Sequence, residues 1–310
     1  MVQGTYPADI EELLCTVKAI SPATTRLAMV MHRTLASRLS EWAGDDRERF
    51  ASVRTLTPEL VLAANRLDLA RKESRRDGAV FQAMAASVDW SSRGRLYSED
   101  TSVCTVIPDW ASYGANLVAA SLGEAPDAER VISRPSRDDE RKLCSAVRAV
   151  DLAAPELADE YKALIDTVVL LRESPRSATE KHVFGALFLA RPQLHDPLAA
   201  PLALVHETGH HALALRQMFV KYLSNPHQLA THPLRSDARP LNGVLHAGFA
   251  LTRMIEFLRG GALGVFEGAA AQLADQHAKV AAVFETLDEH ADWTPRGAAL
   301  FVSMKKAVGG

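Results

Sequence analysis

At 310 residues, with 47% hydrophobic and 24% charged residues, the chain is long enough to bury one large core or two modest ones, and it reads as globular. A formal charge of -3 and the lack of any Lys/Arg run interleaved with aromatics argue against a nucleic-acid partner. Cys15, Cys104 and Cys144 are too scattered for a disulfide framework. The start MVQGTYPADIEELL lacks a secretory pattern, and no apolar stretch approaches membrane-spanning length, so the expectation is a cytoplasmic protein with no membrane partner.

In chain order, the N-terminal half carries apolar residues at helical spacing, with helix starts predicted at Ser21-Pro22 and Thr57-Pro58. The exceptions are a polar loop from Ser91 to Asp100 and the β-prone run Thr101 to Ile107. A loop near Ala125 to Asp139 precedes two helical patterns covering about Asp139 to Arg172, and a boundary is expected near Ser174-Pro175. His182 to Ala190 (HVFGALFLA) suits a strand. Asp196-Pro197, or Pro201, opens a helix that stops by Asn225-Pro226. A polar segment leads to a helix from Leu241 to Gly260-Gly261, and the last long helical pattern covers about Glu267 to His290. There is no internal repeat. The expected fold is α+β, predominantly α, with a small sheet and a zincin-like catalytic core. Residues 1–175 form a mainly helical region without a motif, and residues 176–310 form the metal-binding region.

The chemistry concentrates in LALVHETGHHALAL, Leu202 to Leu215, where His206, Glu207 and His210 spell H-E-x-x-H. Positions i and i+4 share a helix face one turn apart, so His206 and His210 can aim at a common metal ion. Glu207 lies one step around the helix, within reach of a bound water without ligating. Gly209 costs the helix about 1 kcal/mol relative to alanine, and its bare backbone leaves room for a crossing element or a ligand. His211 points elsewhere and reads as structural. The alternative, histidines that merely hydrogen-bond within a core, fits the order and the apolar flanks less well.

A functional metal needs a third ligand. In the extended pattern H-E-x-x-H-x-x-G-x-x-H it would fall at position 216, which is Arg216, so that class of metalloprotease is disfavoured. The candidates are His246, flanked by the small residues Ala247 and Gly248, and Glu256 as its substitute. Just upstream, RSDARPLNG supplies Arg235 and Arg239, whose guanidinium groups are shaped to hold a carboxylate; the plainer reading pairs an arginine with Asp237.

The run LALVHETGHHALAL followed by PLRSDARPLNGVLHAGFALTRMIEF resembles the H-E-x-x-H peptide-modification proteins, the α-ketoglutarate-dependent peptide β-hydroxylases of ribosomal peptide natural-product (RiPP) pathways. The resemblance covers about Val183 to Leu258. It implies an Fe(II) centre on His206, His210 and His246, with α-ketoglutarate and O2 as co-substrates and Arg239 or Arg235 holding the distal carboxylate. It also implies a dioxygenase that hydroxylates a β-carbon of a precursor peptide, with Glu207 orienting a ligand or a water. The peptide is expected to add a strand to the edge of the Val183 to Ala190 run. The rival reading is a zincin-type peptidase, in which Zn replaces iron and Glu207 is general base to a metal-bound water.

Overall fold

The structure is a computed structural model that describes residues 6–40, 57, 58, 60–65, 109–121, 132–172, 174, 176–231 and 237–309. In chain order its principal elements are α1 (Ala8–Cys15), α2 (Ser21–Ser40), α3 (Asp109–Ser121), α4 (Arg137–Ala153) and α5 (Pro155–Leu164). Strands β1 (Thr167–Leu171), β2 (Ala178–Thr179) and β3 (Ala186–Ala190) follow, then α6 (Arg191–Leu194) and α7 (Ala199–Gln217). The short β4 (Leu229–Ala230) and β5 (Arg239–Pro240) lead into α8 (Leu241–Gly260), α9 (Ala269–His290) and α10 (Pro295–Gly309). The fold is α+β and predominantly α, as its periodicity predicts. Among the described residues no helix is long and apolar enough to cross a membrane.

The chain clusters into two units that interleave along the sequence. One comprises Met1–Thr24, Ser145–Tyr161 and His195–Gly310; the other comprises Thr25–Cys144 and Lys162–Leu194. This division differs from a single boundary near residue 175, because distant segments close each core.

In the second unit, β3 is the middle strand of a three-stranded sheet in the order β1-β3-β2. It pairs in parallel with β1 along its full length, Thr167 opposite Ala186 through Leu171 opposite Ala190. On its other side, Ala178 and Thr179 of β2 lie antiparallel to Phe188 and Leu187. All five β3 residues are buried. The expected docking edge for a peptide along Val183 to Ala190 is therefore already occupied. The physical reason lies in the run itself: an unbroken apolar strand is the signature of burial on both faces. Phe188 packs closely on α3, where a Cβ at Gly114 would stand 2.4 Å from its ring.

A second correction concerns Thr167 to Leu171. It falls inside a stretch expected to be helical, yet TVVLL forms β1, since three β-branched residues among five favour an extended chain. The start of α4 is set by a reciprocal cap. The Asp139 carboxylate accepts from the Ser136 backbone N–H at 2.8 Å, and the Ser136 hydroxyl accepts from the Asp139 N–H at 3.2 Å. The predicted run Thr101 to Ile107, the loop Ser91 to Asp100 and Arg235 lie outside the described residues.

The first unit is helical and centres on α7 and α8. Ahead of α7, the Asp196 carboxylate accepts the N–H groups of Leu198 and Ala199, both at 2.8 Å, so the helix opens where Asp196-Pro197 predicts. α7 is apolar nearly all round, with Leu202, Leu204, Val205, Leu213 and Leu215 buried, as befits a central helix. α8 begins directly after Pro240, and its first N–H groups, from Leu241 and Asn242, are taken up by the carbonyls of Gln228 and Pro226. α9 and α10 pack on α8, and α1 packs on α10. The α1–α10 contact includes a two-pronged ion pair from Arg296 to Glu11 at 2.8 and 2.9 Å. α10 is a helix that the sequence reading does not anticipate.

Candidate metal centre

α7 and α8 run antiparallel, and the cross-helix contacts record the register: His206 meets Met254, Gly209 meets Ala250, His210 meets His246, and Gln217 meets Asn242. Gly209 is where the helices come closest. A Cβ there would lie 3.2 Å from the Ala250 Cα, so its bare backbone serves the predicted crossing. Gly248 has a different task. Its missing side chain makes room for Met304 of α10 and Val283 of α9, not for α7.

The geometry that matters is at the two imidazoles of the motif. His206 Nε2 and His210 Nε2 face each other at 3.1 Å, with the rings edge-on and their centroids 4.7 Å apart. Two nitrogens about 2.1 Å from one ion and about 90–110° apart at it would be separated by about 3.0–3.4 Å, so this pair fits two adjacent ligand positions. The ring of His246 follows on α8, 5.6 Å from that of His210 and tilted by 32°. Helix geometry explains the row: one turn separates His206 from His210 on α7, and the antiparallel crossing brings His246 alongside.

His246, the third-ligand candidate, is not in ligating position. His246 Nε2 is turned to the side-chain carbonyl of Gln217, 2.9 Å away. Among the described residues, no group of three or more His, Cys, Asp or Glu side chains stands poised to hold a metal ion. The donor set thus consists of a facing pair and a neighbouring imidazole bound to an amide.

Burial sets the charge state of the pair. It lowers the pKa of His206 to about 4, with the positive charge of Lys279 adding to the effect. It holds His210 well below the usual imidazole value, with His206, His246 and His211 contributing next. At neutral pH both rings are therefore neutral, the form that offers a lone pair to a metal. Glu207 is only 4% exposed, and His211 is buried at 2%.

Glu256, the other third-ligand candidate, is engaged elsewhere. It accepts from Arg253 at 3.4 Å, and burial raises its pKa against the opposing pull of that guanidinium. Arg239 pairs with Asp237 at 3.3 Å on the surface, the plainer of the two roles open to it, and Arg235 is not among the described residues. A surface pair of this kind contributes about 0–1 kcal/mol, so Arg239 is not locked in place.

Sequence reasoning passes over two polar sets. The first is Gln217 and Asn242 beside His246; Gln217 lies seven residues beyond His210 and so shares its face, which is a readable signal. The second is a buried ion cluster. Glu160 receives Arg253 at 3.0 Å and Arg216 at 3.5 Å, and all three side chains are 1% exposed. Arg216 also donates to the carbonyls of Thr16 and Lys18, and both guanidiniums lie over the Phe249 ring. Position 216 matters in the sequence only as the place where a third histidine is missing; in the fold it is the tie between α7 and the N-terminal segment.

No protein-family model matches this chain, and no curated protein matches it either.

Proposed function

We propose that the chain is an Fe(II)- and α-ketoglutarate-dependent oxygenase that hydroxylates a β-carbon in a ribosomally made precursor peptide. In this reading the α7–α8 pair is its zincin-like metal-binding core and the cytoplasm is its compartment. The observation that carries the reading is the facing of His206 Nε2 and His210 Nε2 at 3.1 Å, both rings neutral at working pH, with the His246 ring next in line. The donors suit the ion: three neutral imidazoles leave the double positive charge of Fe(II) uncompensated, which favours a dianionic co-substrate. When bound, such a centre supplies oxidation of an unactivated C–H bond coupled to decarboxylation of the keto acid.

The roles of the protein's own groups follow from position. His206 and His210 hold the ion from one helix, whose turn fixes their separation, and the α7–α8 crossing at Gly209 brings His246 alongside them. Met254 takes His206 Nδ1 at 3.2 Å, which leaves Nε2 as the ligating nitrogen. Glu207, buried one step around α7, orients a water or a ligand at the ion. Arg239 and Arg235, upstream of α8, are the groups for a distal carboxylate; Arg239 reaches it by leaving Asp237.

The test is anaerobic addition of Fe(II) and α-ketoglutarate to the full chain. The expected results are a visible charge-transfer band, loss of that band in His206→Ala, and succinate on admitting air. Peptide cleavage supported by Zn(II) alone and abolished by Glu207→Gln would replace this reading with the zincin-type peptidase.

A further inference from the structure

We infer that Gln217, held by Asn242, is the positioning residue of His246: it fixes the ring proton on Nε2 and so assigns Nδ1 as the atom that ligates. The inference rests on the metal reading above and adds a residue and an atom to it.

Three contacts carry it. The Gln217 side-chain N–H donates to Asn242 Oδ1 at 2.6 Å, so the amide nitrogen is committed toward Asn242. The amide carbonyl therefore faces His246, with Oε1 2.9 Å from Nε2. A carbonyl oxygen only accepts, so the imidazole nitrogen opposite it must carry the proton. A neutral imidazole has one N–H, and with Nε2 protonated the lone pair lies on Nδ1.

The three residues are mechanically linked. Gln217 ends α7, the helix of His206 and His210, while Asn242 and His246 sit one turn apart in the first part of α8. The relay thus spans the same two helices whose crossing sets the ligand row. A ligating histidine whose other nitrogen donates to a carbonyl is held in tautomer and orientation, and loss of such a partner typically weakens metal binding about 10–100-fold.

The experiment has two arms. In the metal-free full chain, nitrogen-15 chemical shifts of His246 should show a protonated Nε2 and an unprotonated Nδ1. Asn242→Leu, which frees the Gln217 amide to turn over, should mix the two tautomers. In the second arm Co(II) is titrated, its ligand-field absorption reporting binding. Gln217→Leu, close in size but without an acceptor, should bind Co(II) about 10–100-fold more weakly at an unchanged thermal midpoint, and Gln217→Glu should restore the affinity.

A proton found on Nδ1 in the parent chain would overturn the assignment, as would Gln217→Leu binding Co(II) as tightly as the parent. Failure of the parent chain itself to bind Co(II) would sink the metal reading together with the role of Gln217. A wrong tautomer in a chain that still binds Co(II) would sink the role of Gln217 alone.

Discussion

The same two helices contribute to two polar sets of opposite character, the first completed by Glu160 of α5. In one set, Glu160, Arg216 and Arg253 are 1% exposed and paired among themselves, with Arg216 also donating to backbone carbonyls. In the other, His206, His210 and His246 are half-buried; burial keeps His206 and His210 neutral, the His210 ring stands against those of His206 and His246, and His246 meets the Gln217 amide. The first set satisfies its charges with protein atoms and so holds the fold together. The second brings neutral imidazoles together, with His246 bound to an amide, and in the proposed reading it is the set that takes an exogenous cation. Both sets look alike in a sequence, as polar residues on apolar helices, and only the partners tell them apart.

That contrast can be broken in four ways. The largest effect is expected from Arg253→Met, which strips Glu160 of its closest cation and leaves a carboxylate buried. Its cost should be about 3–5 kcal/mol in urea denaturation, whereas a loss under about 1 kcal/mol would mean that the cluster is not structural.

The next concerns acid. His206 has a folded pKa of about 4 against an ordinary 6.5, so the unfolded chain binds the extra proton first. Its contribution is whole above pH 6.5 and is lost as pH falls toward 4, about 3 kcal/mol in all for the metal-free chain. His206→Gln should flatten that part of the profile, and identical profiles for the two chains would refute the burial argument.

His210→Ala should then separate the sets from the other side. Folding stability is expected to change by about 1 kcal/mol, while Co(II) affinity falls more than about a hundredfold. Equal damage to both would place His210 in the structural set.

The smallest effect is at the crossing. Gly209→Ala gains about 1 kcal/mol of helix propensity and meets Ala250 at 3.2 Å, so the balance should be a net loss no larger than about 2 kcal/mol. Spreading of the helices should show as weaker Co(II) binding, and a stabilised variant with unchanged affinity would show that the close approach is not needed.

The legibility of the molecule follows the range of the interactions involved. The bounds of α8 were readable because Pro240 and the Gly260-Gly261 pair punctuate a helical period, and a Cβ at Gly260 would indeed meet the Ala153 carbonyl at 2.4 Å. The His206–His210 pair was readable because one helical turn is a local rule. Strand β1 is not legible in the sequence, because a five-residue apolar run is ambiguous until its partner β3 is known. For the same reason the sequence does not show that β3 lacks an open edge, since whether a strand is central or peripheral depends on its neighbours. Glu160 and Arg216 are 56 positions apart, and nothing in either neighbourhood announces the other.

From its residue order alone this protein determined its mainly helical character, the metal-type spacing on α7 and the start and stop of α8, because each depends on contacts within a few residues. Tertiary structure decided that His246 stands beside His210 but is tied to Gln217, that Glu256 and Arg239 have protein partners, and that residues from both ends of the chain close the core around α7. Those choices depend on which distant groups meet, and burial then sets which of them stay charged.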